Sequence, residues 1–286
     1  MRAARMWHRM KVRFWGVRGS LPTPGRKTVR YGGNTSCVEV RLGERRIILD
    51  AGSGLVEFVA ATAAEPGPVN TDLLLSHTHY DHICGLPFYA PLFQSKNEVR
   101  IWTGRLNHAV SAEMALRSSM TPPLMPDMAS LIRAQVTYHE FEVGSALDLG
   151  GGVTVRTAML LHPGGCVGYR IEWSGRAMVY ATDTAHGDPT TDAALRELCQ
   201  GADLLIYDAM LTDEEFPSRI AWGHSTWREA VRLADSCGVR QLVLFHHAPF
   251  RNDKALAALV AEAASVRPGT IAAREGLELT VRRNGK

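Results

Sequence analysis

The segment "SHTHYDHICG" contains four side chains that can bind a metal ion within six residues: His77, His79, Asp81 and His82. They follow the apolar run "TDLLL", so they stand at the end of a buried strand. Burying such groups without partners costs several kcal/mol each, and a divalent metal is the usual compensation. Side chains two apart on an extended chain point the same way, so His77 and His79 can share one ion. Asp81 and His82 lie beyond the strand end and can turn towards a second.

Three further polar residues end apolar strands later in the chain: His162 after "TVRTAMLL", Asp183 after "AMVYAT" and His246 after "QLVLF". Strand ends of this kind converge on one edge of a sheet. A tetrahedral zinc site takes about four ligands, so seven donors predict two ions that share a carboxylate. Imidazole and carboxylate ligands suit zinc, manganese or iron. Unrelated histidines that happen to end strands are the alternative, which the repeated placement disfavours.

The elements that must position these residues are short strands and helices in alternation. Strands are predicted in "KVRFWGV", "SCVEVRL", "RRIILDAG", "TDLLLSHTH", "GVTVRTAML", "VGYRIEW", "RAMVYATD", "ADLLIYDAM" and "QLVLFHH". Helices are predicted in "GSGLVEFVAATAA", "DAALRELCQ", "STWREAVRLADSCG" and "DKALAALVAEAASV", with a short helix or turn in "HICGLPFYAPLF". Residues 1–286 are therefore predicted to form one α/β domain. The Pro- and Met-rich stretch within 106–138 predicts a lid insertion or, equally, a plain surface excursion.

Composition excludes several classes of protein. The 32 Lys and Arg against 29 Asp and Glu give a net charge of +3, too weak for broad nucleic-acid binding but compatible with one anionic ligand. No run approaches the roughly 20 apolar residues of a membrane span, and the first residues lack a signal-peptide core. The odd number of scattered cysteines argues against a disulfide framework. We expect a reduced, cytoplasmic protein with no membrane association.

The motif H-x-H-x-D-H followed by a distant His, Asp and His resembles the metallo-β-lactamase superfamily. This resemblance covers nearly the whole chain and implies an αβ/βα sandwich with two divalent metals, zinc or else manganese, at one sheet edge. It assigns a first metal, a second metal and a bridge to these residues: His77, His79 and His162; Asp81, His82 and His246; and Asp183. Asp81 is also expected to take part in catalysis. Asp50 in "ILDAG" matches a supporting aspartate, and His247 is a rival for the position of His246.

Further motifs narrow the branch of the superfamily. "VYATDTAHG" is similar to the Y-x-x-D-T segment of ribonuclease Z and related phosphodiesterases, and "GHST" resembles the loop that holds their proton-donating histidine. "FWGVRGSLPTPG" and "RYGGNTSC" resemble bacterial and phage cyclic-nucleotide phosphodiesterases, including the anti-Pycsar enzymes. No clear match to the flexible tRNA-binding arm of ribonuclease Z is found.

The resemblance thus implies a phosphodiesterase that opens 3',5'-cyclic nucleotides such as cAMP or cGMP to nucleoside monophosphates, and that pairs as a homodimer. An RNA 3'-end endonuclease of the ribonuclease Z type is the first alternative. A hydrolase of another ester, such as a lactone, and a non-catalytic nucleotide or metal sensor are the others.

The chemistry of a phosphodiester gives "GHST" a role. Two metals can clamp the phosphoryl group, but an alkoxide leaving group still needs a proton from a general acid. Thr226 followed by Glu229 fits a capping box, so a helix should begin there, and its free N–H groups favour a phosphate near Ser225 and Thr226. His224 would stand beside that phosphate as the acid, oriented by Asp208 at the end of "DLLIYD". Alternatively, the hydroxyls only cap the helix and His224 is solvated.

Other residues are weaker candidates. Arg18, Ser20 and Asn34 lie in Gly-rich loops and are expected to contact substrate, although turn formation explains them nearly as well. His186 is either a supporting residue or an ordinary loop histidine. Three aromatic residues are candidates for stacking on a base, with core packing as the alternative: Tyr80, Trp222 and Trp227. Ordinary structural positions are expected for His8, His108 and His139.

Overall fold

Two β-sheets form the centre of the molecule in a computed structural model that describes residues 9–106 and 111–283. The first sheet contains β1 Met10–Gly16, β2 Cys37–Leu42, β3 Arg45–Leu49, β4 Thr71–Leu75, β5 Glu98–Gly104, β6 Gln135–Phe141 and the late strand β14 Glu278–Thr280. Its strands are ordered β14-β1-β2-β3-β4-β5-β6, and pairing is parallel from β3 to β6.

The second sheet comes from the second half of the chain. It contains β7 Ala146–Gly150, β8 Val153–Leu160, β9 Cys166–Trp173, β10 Arg176–Ala181, β11 Leu204–Asp208, β12 Gln241–Phe245 and β13 Ile271–Ala272. The strands are ordered β13-β12-β11-β10-β9-β8-β7, antiparallel from β7 to β10 and parallel from β10 to β13.

Helices cover the outer face of each sheet. The described helices are α1 Gly54–Thr62, α2 Tyr80–Ile83, α3 Ala112–Ser119, α4 Pro189–Cys199, α5 Phe216–Arg219, α6 Trp227–Ser236 and α7 Asp253–Val266. Apolar side chains of α1 and α3 pack on the first sheet, and those of α4, α6 and α7 pack on the second. Each helix in the described part of the chain is too short or too polar to cross a lipid bilayer.

The main core lies between the two sheets, and strand periodicity builds it. Along β3, Ile47 and Leu49 face the second sheet while Ile48 faces the helices, as expected for side chains that alternate along a strand. Phe14 of β1 reaches across to Phe245 of β12, with ring centroids 6.1 Å apart. This four-layer arrangement confirms the predicted αβ/βα sandwich.

The parallel strands bring their carboxyl ends to one edge of the sandwich. Asp50 directly follows β3, His77 lies two residues after β4, and Asp208 is the last residue of β11. Asp183 and His246 follow the ends of β10 and β12 in the same way. The polar strand ends identified from the sequence therefore meet at a single edge, which is where ligands bind in open α/β sheets.

Two regions differ from the sequence reading. Strands β5, β6, β7, β13 and β14 are not among those that the sequence predicts, and β6 takes up the last residues of the segment 106–138. Within that segment Leu116, Met120 and Ala129 are buried against the outer face of the first sheet. Residues 107–110 and the histidines at 8 and 108 lie outside the described residues. A covering role for the insertion stays a prediction.

Candidate active site

Donor atoms from seven residues gather at this edge in two groups. Within each group they lie within 4.8 Å of one another: His77, His79 and His162 in the first, and Asp81, His82, Asp183 and His246 in the second. In the first group, Nε2 of His162 is 3.1 Å from Nδ1 of His79. In the second, Oδ2 of Asp81 is 3.2 Å from Nε2 of His82 and 3.3 Å from Nε2 of His246. The structure brings together every residue that the sequence suggested as a metal ligand.

Asp183 connects the two groups through its separate carboxylate oxygens. Its Oδ1 lies 3.9 Å from Nε2 of His77 and 3.7 Å from Nε2 of His162. Its Oδ2 lies 3.2 Å from Nε2 of both His82 and His246. One oxygen therefore faces each group, which is the placement that a carboxylate shared between two ions requires.

The site fits divalent cations because buried ring nitrogens face one another and carboxylate oxygens without forming hydrogen bonds. Nε2 of His77 and Nε2 of His82 are buried and make no hydrogen bond within the described chain. Burial, aided by the neighbouring His82, holds the pKa of His77 well below its usual value, so this ring is neutral and able to bind a cation. Burial disfavours the charge on Asp81 and Asp183, but the surrounding histidines lower both pKa values, so both carboxylates are anionic.

Asp50 orients the donors that come from the first sheet. Its Oδ2 accepts hydrogen bonds of 2.8 Å from Nδ1 of His82, Oγ of Ser76 and the hydroxyl of Tyr180. Nδ1 of His77 lies 3.0 Å from Oγ of Ser76. Nε2 of both histidines is thereby left for a metal, as is usual where a carboxylate fixes the tautomer of a ligand imidazole. Asp50 occupies the supporting position expected from the sequence, whereas Ser76 was missed because a serine beside a histidine is too common to be a signal.

Gly223 plays the corresponding part for His162. The carbonyl oxygen of Gly223 accepts a 2.9 Å hydrogen bond from Nδ1 of His162, which leaves Nε2 facing the first group. The glycine adopts φ 77°, a left-handed conformation that other residues rarely adopt. The sequence drew attention to "GHST" for its histidine, and the supporting role of the preceding glycine was missed.

His224 and Asp208 form a buried pair beside both groups. Nδ1 of His224 lies 2.8 Å from Oδ2 of Asp208 and 4.0 Å from Oδ1 of Asp183. With Nδ1 bonded to Asp208, Nε2 is the ring nitrogen available to a substrate. Burial opposes protonation of this imidazole, but the Asp208 carboxylate outweighs it and raises the pKa of His224 to about 9. The arrangement can therefore hold a proton next to the metal-binding edge, as a general acid must.

Comparison with known proteins agrees with this geometry. Residues 45–247 match the family described as Beta-lactamase superfamily domain. The chain belongs to this superfamily. It is 27% identical over 268 residues to ribonuclease Z of Mycobacterium bovis (strain BCG / Pasteur 1173P2), an alignment that covers 84% of this chain and 86% of that protein.

Solved structures show that the fold of this superfamily member is the metallo-β-lactamase fold. The metallo-beta-lactamase fold protein YhfI from Bacillus subtilis aligns with a TM-score of 0.70 at 23% identity, covering 95% of this chain and 99% of that one. Human tRNase Z, short form, aligns with a TM-score of 0.70 at 20% identity, covering 96% and 100%. The expected resemblance to the superfamily and to its ribonuclease Z group is confirmed.

Three residues of the superfamily site adopt left-handed backbone conformations although they are not glycine. They are Asp50 with φ 60°, Asp183 with φ 51° and His246 with φ 56°, and each follows the end of a strand. Such conformations cost of order 1–3 kcal/mol each, and they concentrate at functional sites. The strand ends are thus bent so that their side chains turn towards the two groups of donors.

The N-terminal loop supports the site mainly through its backbone. The N–H of Ser20 donates a 2.8 Å hydrogen bond to Oδ2 of Asp81. Oδ1 of Asn34 accepts a hydrogen bond from Oγ of Ser53 at 2.9 Å, which fixes the adjacent loop. Arg18 is fully buried, and its guanidinium donates to the carbonyl oxygens of Gly32, Ala248 and Arg251. These contacts favour a structural role for Arg18 over the substrate contact expected from the sequence.

The hydroxyl groups of "GHST" are already engaged. Oγ1 of Thr226 accepts a hydrogen bond from the N–H of Glu229 and caps α6, as predicted. Oγ of Ser225 is bonded to Nδ1 of His186 at 2.8 Å and to the hydroxyl of Tyr207 at 3.1 Å. Both residues are buried, so capping and packing explain them better than the expected phosphate contact. His186 supports Ser225 from outside the two groups.

The remaining aromatic and histidine candidates separate by burial. Trp227 is 2% exposed and belongs to the core, whereas Trp222 and Tyr80 are 49% and 66% exposed. His247 points away from the donors and bonds the carbonyl oxygen of Ala273 through Nε2 at 2.9 Å. Burial lowers the pKa of His247 to about 3. The structure thus places His246, and not its rival, among the donors.

Proposed function

We propose that this protein is a two-metal phosphodiesterase that opens 3',5'-cyclic nucleotides such as cAMP and cGMP to nucleoside monophosphates. The observation that carries the proposal is the position of the His224–Asp208 pair, whose Nδ1–Oδ2 distance is 2.8 Å, beside the two groups of metal donors. Metal-binding residues alone fit many hydrolases of this superfamily. A protonated imidazole held beside them fits a reaction whose leaving group needs a proton.

The two groups define which residues would hold the ions. We propose His77, His79 and His162 for one ion, and Asp81, His82 and His246 for the other, with Asp183 shared. When bound, two divalent ions supply Lewis acidity and activate water, and zinc lowers the pKa of bound water to about 7. Zinc and manganese both suit these donors, with zinc preferred. Asp81, which accepts a hydrogen bond from the N–H of Ser20, would also orient the attacking water.

His224 would complete the reaction by moving one proton. Its Nε2 holds the proton in the resting site and gives it to the ribose oxygen as the phosphorus–oxygen bond breaks. The Asp208 carboxylate stabilises the imidazolium before transfer and keeps Nε2 directed at the substrate. One water is consumed, and the ring opens to a phosphate monoester.

A ribonuclease Z-like RNA 3'-end endonuclease is the second candidate, and the name of the mycobacterial relative favours it. The N-terminal motifs, and the lack of a clear match to a tRNA-binding arm, favour the smaller substrate. Hydrolysis of a lactone also expels an alkoxide, so the motifs similar to those of phosphodiesterases, and not the general acid, favour a phosphodiester over a lactone. A non-catalytic nucleotide or metal sensor would not need the full donor set with its supporting hydrogen bonds. We further propose that the protein acts as a homodimer.

The proposal is tested with purified, zinc- or manganese-loaded protein against cAMP, cGMP, an unprocessed tRNA and a lactone. We expect release of nucleoside monophosphate from the cyclic nucleotides at rates that exceed cleavage of the other two compounds. Cleavage of the tRNA alone would show that the protein is a ribonuclease. Tight binding of a cyclic nucleotide without turnover in any metal form would show that it is a sensor.

A further inference from the structure

Two exposed aromatic rings lie together beside the candidate active site. Trp222 and Phe250 are 49% and 54% exposed. Cζ of Arg219 lies 5.2 Å from the ring centroid of Trp222 and 5.5 Å from that of Phe250. Ile220, in the same turn as Trp222, is 54% exposed as well. Exposed apolar side chains that form a cluster often mark a binding surface, whereas isolated ones need no explanation.

The chain connects these rings directly to the proposed catalytic residues. Trp222 immediately precedes Gly223, whose carbonyl oxygen holds Nδ1 of His162, and His224 is the next residue. Phe250 lies on the loop that follows β12, four residues after His246. The chain therefore carries both rings on the segments that directly adjoin the donors and the proposed general acid.

The two loops that carry the rings are held in place by ion pairs. Oε2 of Glu215 accepts a 2.6 Å hydrogen bond from Arg251, and Oε1 lies 3.8 Å from Arg219. The buried guanidinium of Arg18 bonds the carbonyl oxygens of Ala248 and Arg251, on either side of Phe250. The loops that carry the rings are thus held in place before any ligand arrives, which lowers the entropy lost on binding.

We propose that Trp222 and Phe250, grouped around Arg219, form a stacking platform for the nucleobase next to the scissile phosphodiester. The inference rests on the proposed function and specifies which part of the substrate these residues recognise. Flat aromatic faces and a guanidinium match the face of a base, and the positive charge of Arg219 suits an anionic ligand. A cyclic nucleotide and an RNA end both carry such a base, so the experiment includes both.

The decisive comparison uses substrates with and without a base. We expect Trp222→Ala to lower kcat/KM for cAMP by about 5- to 100-fold, the range that base–aromatic stacking supports. The same variant should leave unchanged the hydrolysis of the 3',5'-cyclic phosphate of 1-deoxyribose, which lacks a base. Trp222→Phe should restore most of the loss, and Phe250→Ala should show the same selectivity. Val266→Ala, at an exposed position at the end of α7, is the matched control and should affect neither substrate.

A second experiment repeats the comparison on a 3'-extended RNA that carries either a base or an abasic residue beside the scissile bond. A base-dependent loss on either class of substrate supports the platform and shows which one uses it. Equal losses on the base-containing and abasic compounds would overturn it. So would a change in oligomeric state of Trp222→Ala in sedimentation, because the rings would then contact a second copy of the chain.

Product binding separates this inference from the proposed function. Calorimetry should show that the wild type binds adenosine 5'-monophosphate more tightly than ribose 5-phosphate, and that Trp222→Ala removes the difference. If the wild type hydrolyses no phosphodiester but keeps this difference, the platform stands and the proposed reaction is wrong. If it hydrolyses cAMP and its abasic analogue equally and binds both products alike, the reaction stands and the platform is wrong.

Discussion

Gly223 holds His162 from so close a position that no side chain fits between them. Its carbonyl oxygen accepts the 2.9 Å hydrogen bond from Nδ1 of His162, and a Cβ at position 223 would overlap that nitrogen and Cδ of Pro163. The hydrogen bond and the close approach together fix the orientation of the His162 ring. Gly223, which is not itself a metal donor, therefore determines how one proposed metal ligand is oriented.

Gly223→Ala should weaken metal binding without removing any ligand. We expect metal affinity to fall about 10- to 100-fold, as is usual when the partner of a ligand imidazole is disturbed. Chelator competition measures this directly. Gly276→Ala is the matched control, because Gly276 has nearly the same φ of 78° but open space around its Cα. Equal metal affinity in the two variants would show that the contact between position 223 and His162 does not control metal binding.

Gly19→Ala should displace His246, a proposed ligand of the second metal. A Cβ at position 19 would lie 2.5 Å from Cε1 of His246 and 2.5 Å from Cε of Met210. We expect a lower content of the second metal and a loss of turnover that added zinc partly restores. Gly168→Ala in β9 is the control, since its nearest contacts are leucine methyl groups at 3.1 and 3.2 Å. Unchanged metal content in Gly19→Ala would mean that the loop moves aside instead.

Asp183→Ala should release both ions, because its two oxygens face different groups of histidines. Elemental analysis of the wild type, purified without chelator, should give about two ions per chain. The variant should retain a small fraction of either metal and lose turnover. Asp188→Ala removes a partly buried helix cap five residues away and should keep the wild-type content. A variant at 183 that kept one ion in full would show that the carboxylate serves a single site.

His224→Ala should slow the reaction while leaving metal content and folding intact. Turnover of a cyclic nucleotide should drop by about 10²–10⁴-fold, the usual contribution of a general acid. The loss should be smaller for a p-nitrophenyl phosphodiester, whose leaving group departs without a proton. Asp208→Asn should give a smaller loss in the same direction. Equal losses on both substrates would mean that His224 binds phosphate and does not donate a proton.

The pH dependence follows from the same pair. The Asp208 carboxylate outweighs burial and raises the pKa of His224 to about 9, so the acid is protonated at neutral pH. Turnover of cyclic nucleotides should therefore fall as the pH rises towards about 9 and the proton is lost. In Asp208→Asn the fall should begin at lower pH, because the stabilising charge is gone. If turnover fell at the same pH in the wild type and in Asp208→Asn, the titrating group would be one other than His224.

The sequence indicated which polar side chains would gather at one sheet edge, because strand ends and residue types determine that placement. His77, His82 and Asp183 could be identified from alternation and from polar residues placed after apolar runs. The supporting contacts could not, because Gly223 and Ser76 act through a carbonyl oxygen and a hydroxyl whose partners are distant in the chain. The substrate contacts expected for Arg18 and Ser225 stay predictions, although their side chains already bond to groups of the protein. A polar residue in a loop looks the same in the sequence whether it faces a substrate or a buried backbone carbonyl.

The division of the donors between the two sheets has a mechanical consequence. His77, His79, Asp81 and His82 follow a strand of the first sheet, whereas His162, Asp183 and His246 follow strands of the second. Ions held among them would cross-link the two halves of the sandwich at one edge, while β14 ties the end of the described chain back to β1 at another place. Loss of the ions would remove this cross-link and leave the edge to contacts such as the hydrogen bond from Tyr180 to Asp50. The left-handed backbone at Asp183 and His246 would then lose the metal contacts that offset its strain.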